Sequence, residues 1–287
     1  MIVCRTIQEL KASLSELRTD RKSLGFVPTM GYLHEGHASL LRRAEEENDV
    51  TVLSIFVNPL QFGPNEDLDR YPRDEERDLA IAAECGTDIV FLPSVKEMYP
   101  KRPLTTVLVS GITSRLCGAS RPGHFDGVGT VVSKLFHLVI PTRAYFGMKD
   151  AQQVAVIEQM VHDLNFEVEI VRCETVREPD GLALSSRNVY LSAEQREQAV
   201  RLSQSLQMAG DWLYAPGMTA GQLKRNIVSH ITESELAEID YAEFLTYPSL
   251  EPIDEQTSTA TLEEQTIVAL AVKFGTTRLI DNRLFDI

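Results

Sequence analysis

Two histidines flank a glycine in Met30-Gly31-Tyr32-Leu33-His34-Glu35-Gly36-His37, just behind an apolar run and just ahead of a helical pattern. Residues 24–27 read as a short buried strand, and Leu40, Leu41 and Ala44 then recur at helical spacing. Strand, glycine turn and helix start follow in that order. The first N–H groups of a helix lack intrahelical partners and its dipole adds partial positive charge, so a nucleotide phosphate is favoured at such a junction. Gly31 and Gly36 let backbone approach closely, and imidazoles add donors for phosphate oxygens. Taken alone, the pair also fits half of a metal site, or polar residues at a helix entrance. Zinc is disfavoured: the spacing is H-x-x-H, not H-E-x-x-H, and Cys4, Cys85, Cys117 and Cys173 lie far apart with no paired knuckle.

Three more segments carry chemistry. In the turn-rich loop 58–65, the amides of Asn58 and Gln61 offer donors and acceptors without charge, suited to the hydroxyl and carboxylate groups of a small substrate; the alternative is an ordinary Asn-Pro turn. In Gly147-Met148-Lys149-Asp150-Ala151-Gln152-Gln153, directly after an apolar run, Lys149 can neutralise phosphate, while Asp150 either accepts ribose hydroxyls or caps the following helix. Leu184-Ser185-Ser186-Arg187-Asn188 sets two hydroxyls beside a guanidinium in a glycine-containing loop, a mobile phosphate clamp.

The elements that must position these residues alternate. Strand-like segments at 50–57, 88–92, 144–147 and 166–172 are interleaved with helical spacing, loose over 73–84 and strong over 128–139 and 154–164. Such alternation predicts a parallel sheet with helices on both faces. After Val176 the texture changes. A polar loop over 177–188 leads to a helix from Ser192, with Gln195 at capping-box spacing, then to helical spacing at 223–231 and strand-like 241–245, 267–274 and 278–280. Helices followed by strands predict a smaller α+β domain.

Composition bounds the rest. With 287 residues, 43% hydrophobic and 24% charged, the chain can bury a full core in one large or two ordinary domains. No stretch nears the ~18 apolar residues of a membrane span, and residues 1–5 run into an amphipathic pattern without a leader-like apolar core. A cytoplasmic protein with reduced thiols is therefore expected. The formal net charge of −14 argues against nucleic-acid or membrane-surface partners, so an anionic substrate needs a local basic pocket.

Jointly, these segments resemble the pantoate-β-alanine ligase family of the His-Ile-Gly-His nucleotidyltransferase superfamily. The likeness runs nearly end to end. It is carried by Val27-Pro28-Thr29-Met30-Gly31, His34-Glu35-Gly36-His37, Ser54-Ile55-Phe56-Val57-Asn58-Pro59, Gln61-Phe62, Tyr71-Pro72-Arg73 and Arg121-Pro122-Gly123-His124-Phe125. Further on come Lys149-Asp150, Gln152-Gln153, Asp180-Gly181-Leu182-Ala183, Ser185-Ser186-Arg187-Asn188 and Arg278-Leu279-Ile280-Asp281-Asn282. The resemblance implies a Rossmann-like doubly wound sheet over 1–176, binding nucleotide and pantoate, and a smaller α+β domain over 177–287 that closes over the active site.

It also implies a two-step reaction. Pantoate carboxylate attacks the α-phosphate of ATP to release pyrophosphate; β-alanine then attacks the pantoyl adenylate to release AMP. Met30, Gly31, Tyr32, Leu33, His34, Glu35, Gly36 and His37 would line the ATP site, continued by Gly147, Met148, Lys149 and Asp150. Val176 would touch the adenine side, and Leu184, Ser185, Ser186 and Arg187 would close over the phosphates. His34, His37, Lys149 and Arg187 would be catalytic, with His37 either a proton donor or only a hydrogen-bond donor. Gln61 and Gln153 would hold pantoate with Asn58 in support, and Gln61 would also meet β-alanine.

Met148 stands where many family members carry glutamate, which is expected to change little. Mg²⁺ would accompany ATP, although no carboxylate cluster identifies a protein ligand and Asp78 is no more than a possible helper. A homodimer is implied. Two rivals differ in class: a nucleotidyltransferase that adenylates a phosphorylated substrate and stops there, which should lack the Gln61 and Gln153 pairing and the Ser-Ser-Arg-Asn loop, and a non-catalytic nucleotide-binding regulator.

Overall fold

In the computed structural model, which describes residues 1–17, 22–64, 66 and 68–286, the apolar segments of the first half form one parallel sheet; Asn65 of the turn-rich loop lies outside the described residues. The order along the chain is β1 (Ile2–Cys4), α1 (Ile7–Leu17), β2 (Leu24–Thr29), α2 (Glu35–Glu47), β3 (Val50–Ile55), α3 (Glu75–Glu84) and β4 (Ile89–Phe91). The short α4 (Val95–Met98) and α5 (Leu116–Ser120) precede α6 (His124–Val139), β5 (Arg143–Gly147), α7 (Ala151–Leu164) and β6 (Glu169–Cys173). Across the sheet the strands run β1-β4-β3-β2-β5-β6, every pairing parallel.

The winding reverses between β2 and β5. From β2 the chain steps to β3 and β4, then crosses back to the other side of β2 for β5 and β6. Ligands of open α/β sheets bind outside the carboxyl ends of the strands at such a point. The chain leaves β2 into the histidine turn and leaves β5 at Gly147. The apolar runs are nearly continuous because both faces are covered. Phe26 and Val27 are neighbours in β2 and both fully buried. Phe26 meets Phe136 of α6 edge to face, with centroids 6.4 Å apart, while Val27 on the other face clusters with Leu41 of α2 and Ala82 of α3.

The chain divides into two compact units: Met1–Met148 with Val156–Glu174, and Lys149–Ala155 with Thr175–Ile287. The second break lies beside the division expected at 176, while Lys149–Ala155 group with the second unit. That unit contains α8 (Ala193–Ala199), α9 (Arg201–Leu213), α10 (Ala220–Thr232) and an antiparallel sheet of β7 (Ala237–Thr246), β8 (Thr266–Phe274) and β9 (Thr277–Phe285), with β8 central. Leu202, Leu206 and Leu213 of α9 and Leu223, Ile227 and Ile231 of α10 bury against Phe244, Val268, Leu270 and Val272. Reciprocal capping boxes start two of its helices, Ser192 with Gln195 and Thr219 with Gln222.

Several elements differ from the expectation. The helix expected from Ser192 is two helices that meet at Val200. β7 and β9 outrun their apolar cores because ladder bonding carries on through the polar residues Glu238, Arg278 and Arg283. β1, a three-residue strand beside β4 at the sheet edge with Ile2 and Val3 exposed, is too short for its apolar residues to show a period.

Candidate active site

The turn after β2 has every N–H from Gly31 to His34 committed. Gly31 and Tyr32 have φ of 86° and 51°, both in the left-handed region. Glycine is needed at 31: a Cβ there would stand 2.9 Å from Ile55 Cγ2 and 3.0 Å from Asp78 Oδ2. The Gly31 N–H donates to Thr29 Oγ1 at 3.2 Å, and those of Tyr32 and Leu33 donate to Asp78 Oδ2 and Oδ1 at 2.8 and 2.6 Å. Burial pushes the Asp78 carboxyl above its ordinary value, against the pull of these two donors.

His34 is the N-cap of α2, in extended conformation. Its Nδ1 accepts the Gly36 N–H at 3.1 Å, and His37 Nδ1 accepts the His34 N–H at 3.3 Å, a capping box built from two imidazoles. The rings lie 4.2 Å apart, tilted by 43°. A ring nitrogen that accepts a hydrogen bond carries no proton, so each neutral ring holds its proton on Nε2 as a donor. Glu35 instead pairs with Arg42. A cavity of about 270 Å³ opens on the Asp78 side of the turn, bounded by Met30, Gly31, Tyr32, Phe56, Arg73 and Val95 among others.

Gln61 lies in a short 3-10 turn, Pro59–Gln61, that Asn58 caps. The Asn58 amide, 1% exposed, is saturated: Nδ2 donates to Gln61 Oε1 at 3.1 Å and to Gly127 O at 3.0 Å, while Oδ1 accepts from Leu60 N–H and from the Tyr99 hydroxyl at 3.1 Å. Burial raises the Tyr99 hydroxyl to about 12, which keeps it a donor. Gly127 is required for this approach, since a Cβ there would lie 2.4 Å from Leu60 O. The Gln61 carbonyl is held by His124 Nδ1 at 2.8 Å and by the Arg121 guanidinium, which also forms an ion pair with Glu66 at 2.5 Å. Gln61 Nε2 lies 3.2 Å from Met30 Sδ, so the loop and the histidine turn meet within the first unit.

In the second unit, Lys149 and Asp150 lie in a 3-10 turn ahead of α7, with Lys149 Nζ 3.8 Å from Asp150 Oδ2. The Lys149 carbonyl accepts from Asn282 Nδ2 at 2.9 Å, and the adjacent Asp281 takes Arg177 in a bidentate pair at 2.7 and 2.9 Å. Gln153 is half-buried. Val176 O accepts the Leu184 N–H at 2.9 Å, and Ser185 Oγ accepts the Arg187 N–H at 3.2 Å. Asn188 Nδ2 donates to Glu178, and Arg196 bridges Glu178 and Asp180 at 2.6 and 2.8 Å. The expected clamp is thus a loop tied on itself. Met148, closing the first unit's strand segment, is buried.

Sequence reasoning missed the supports. Asp78, considered only as a metal helper, spends both oxygens on the histidine turn. Among the described residues no cluster of three His, Cys, Asp or Glu side chains could hold a metal ion. Arg121, His124, Asp281 and Asn282 sit in motifs that carried the resemblance without a role. Their partners lie ~60 to ~130 residues away, beyond what local spacing can reveal.

A model of the pantoate-β-alanine ligase family matches residues 2–284. The chain is 54% identical to pantothenate synthetase from Caldicellulosiruptor saccharolyticus over 287 residues, covering 100% of both chains, and 55% identical to that from Pelotomaculum thermopropionicum, covering 99% of both. Pantothenate synthetase from Thermus thermophilus superposes with a TM-score of 0.89 at 46% identity, 99% of each chain being covered. The pantoate-β-alanine ligase of Francisella tularensis, solved with β-γ ATP and β-alanine, gives 0.79 at 36% identity over 99% of this chain and 97% of its own. Sequence and fold agree along the whole length, and the chain belongs to the pantoate-β-alanine ligase family.

Proposed function

We propose that this chain condenses pantoate with β-alanine at the expense of ATP, giving pantothenate, AMP and pyrophosphate. The observation that carries this reading is the full-length likeness, above 50% identity, to enzymes named pantothenate synthetase. The reaction runs through pantoyl adenylate. A pantoate carboxylate oxygen forms a bond to the α-phosphorus as the bond to pyrophosphate breaks. The β-alanine amine then attacks the acyl carbon, AMP leaves, and the amine gives up its proton.

His34 and His37 present Nε2–H donors to the charge that develops on the phosphate oxygens. Handing over that proton outright would require Nδ1 to take one up and displace the N–H it caps. Hydrogen bonding is therefore favoured over transfer, and pyrophosphate is acidic enough to leave without it. Lys149 and Arg187 neutralise the phosphates, with Ser185, Ser186 and Leu184 beside them; Asp150 accepts the ribose and Val176 flanks the adenine. Gln61 and Gln153 hold pantoate, with Asn58 supporting Gln61.

Mg²⁺ would enter with ATP and help to neutralise its phosphates beside Lys149 and Arg187. The enzyme works as a homodimer in the cytoplasm, as expected from the sequence. Incubation with Mg·ATP, pantoate and β-alanine tests the overall reaction. Equimolar pantothenate, AMP and pyrophosphate are expected, and ADP with phosphate would overturn the AMP-forming mechanism.

A further inference from the structure

We infer that Asp78 is a positioning residue for adenylate formation: its carboxylate holds the Gly31–Tyr32 turn in register and so aims both histidines. The inference rests on the proposed function. Asp78 is 2% exposed and sits on α3, 45 residues from the N–H of Leu33 that it binds. Its two oxygens take the N–H groups of Tyr32 and Leu33, and Leu33 is fully buried directly before the N-cap His34. The turn needs such an anchor because Tyr32, a bulky residue, is in the left-handed region at φ 51°. His34 and His37 are fixed in turn by the N-terminal backbone of α2. A slip of the turn therefore moves both rings together. Displacement by ~1 Å is enough to cost ~10²-fold in rate.

Asp78 is not substituted by any amide without loss. In Asp78→Asn one oxygen still accepts, but an NH₂ group then faces the second N–H, donor against donor. Asp78→Glu keeps both acceptors and the charge while pushing them out by one methylene, for which the cavity of about 270 Å³ beside Asp78 leaves room.

The test separates half-reactions in the full-length enzyme. Pantoate-dependent exchange of labelled pyrophosphate into ATP is compared with β-alanine transfer from supplied pantoyl adenylate. Asp78→Asn and Asp78→Glu should each lower kcat for exchange ~10- to ~100-fold, with KM for pantoate unchanged and transfer from the adenylate retained. Imidazole ¹⁵N signals of His34 and His37 should shift in both. Unaltered exchange in either folded variant, or exchange and transfer falling in parallel, would overturn the inference. Absence of exchange in the wild type would overturn the functional reading and the inference together; wild-type exchange with unaffected variants overturns the inference alone.

Discussion

The histidine turn of the first unit and the serine-arginine loop of the second, both proposed to meet phosphate, are ordered by different means. In the turn, backbone N–H groups from Gly31 to His34 feed into Thr29, Asp78 and His37, and the rings are pinned by the start of a helix. In the loop, order comes largely from ion pairs: Arg177 with the buried carboxylate of Asp281, and the partly exposed Arg196 with Glu178 and Asp180. Backbone bonds to a buried carboxylate are screened little by salt, whereas ion pairs that reach solvent, such as Arg196 with Asp180, are weakened by it to some extent. One region is therefore preset and the other adjustable by conditions.

The largest effects should come from removing donors on either side. His34→Ala, His37→Ala, Lys149→Ala and Arg187→Ala are each expected to lower adenylate formation by ~10²- to ~10³-fold, the scale of losing one transition-state donor. His34→Asn sharpens the contrast, because asparagine caps helices well but has no Nε2–H. It should unfold near the wild-type temperature while losing comparable activity. Retained pyrophosphate exchange in this variant would break the claim that the turn acts through its imidazole donors.

Next in size is the tie beneath the loop. Asp281→Asn leaves the Arg177 guanidinium without its bidentate partner and should cost about 2–3 kcal/mol in denaturant unfolding, with loss of amide protection over 176–188. A loss confined to β9 would show that the pair does not order the loop. Salt is a milder probe. At ~1 M NaCl the part of the second unit's loop tied by Arg196 should gain a little amide exchange while the histidine turn does not, the Arg196 pairs with Glu178 and Asp180 contributing no more than ~1 kcal/mol each. Equal response in both regions would erase the comparison.

The smallest effect is expected at Glu66, whose carboxyl Arg121 holds below its ordinary value of 4.5. A lowered folded value means that the stabilisation is complete above the unfolded pKa and fades as pH falls through the folded one. Glu66→Gln should therefore lower the unfolding temperature slightly at neutral pH, the difference closing as the pH falls below the ordinary carboxylate range. A difference that widens with acid would contradict the pairing.

Local pattern made much of this legible. Strand, glycine turn and helix start could be read around His34 because each signal lies within a dozen residues, and the parallel sheet followed from repeated alternation. The role of Asp78 could not be read, since its charge and its place on a loosely amphipathic α3 look like ordinary helix surface until α3 is packed against the turn. Likewise Asn282 and Lys149 stand 133 residues apart, joined only by folding. The imidazole capping box hid in plain view: capping by histidine carries no strong statistical signature, unlike the Ser192 and Thr219 boxes.

The central claim, that the turn serves carboxylate adenylation, is tested most directly by exchange of labelled pyrophosphate into ATP with pantoate present and β-alanine withheld. The account predicts exchange under those conditions, abolished when pantoate is left out. Exchange that appears only once β-alanine is added, or that proceeds without pantoate, would contradict it.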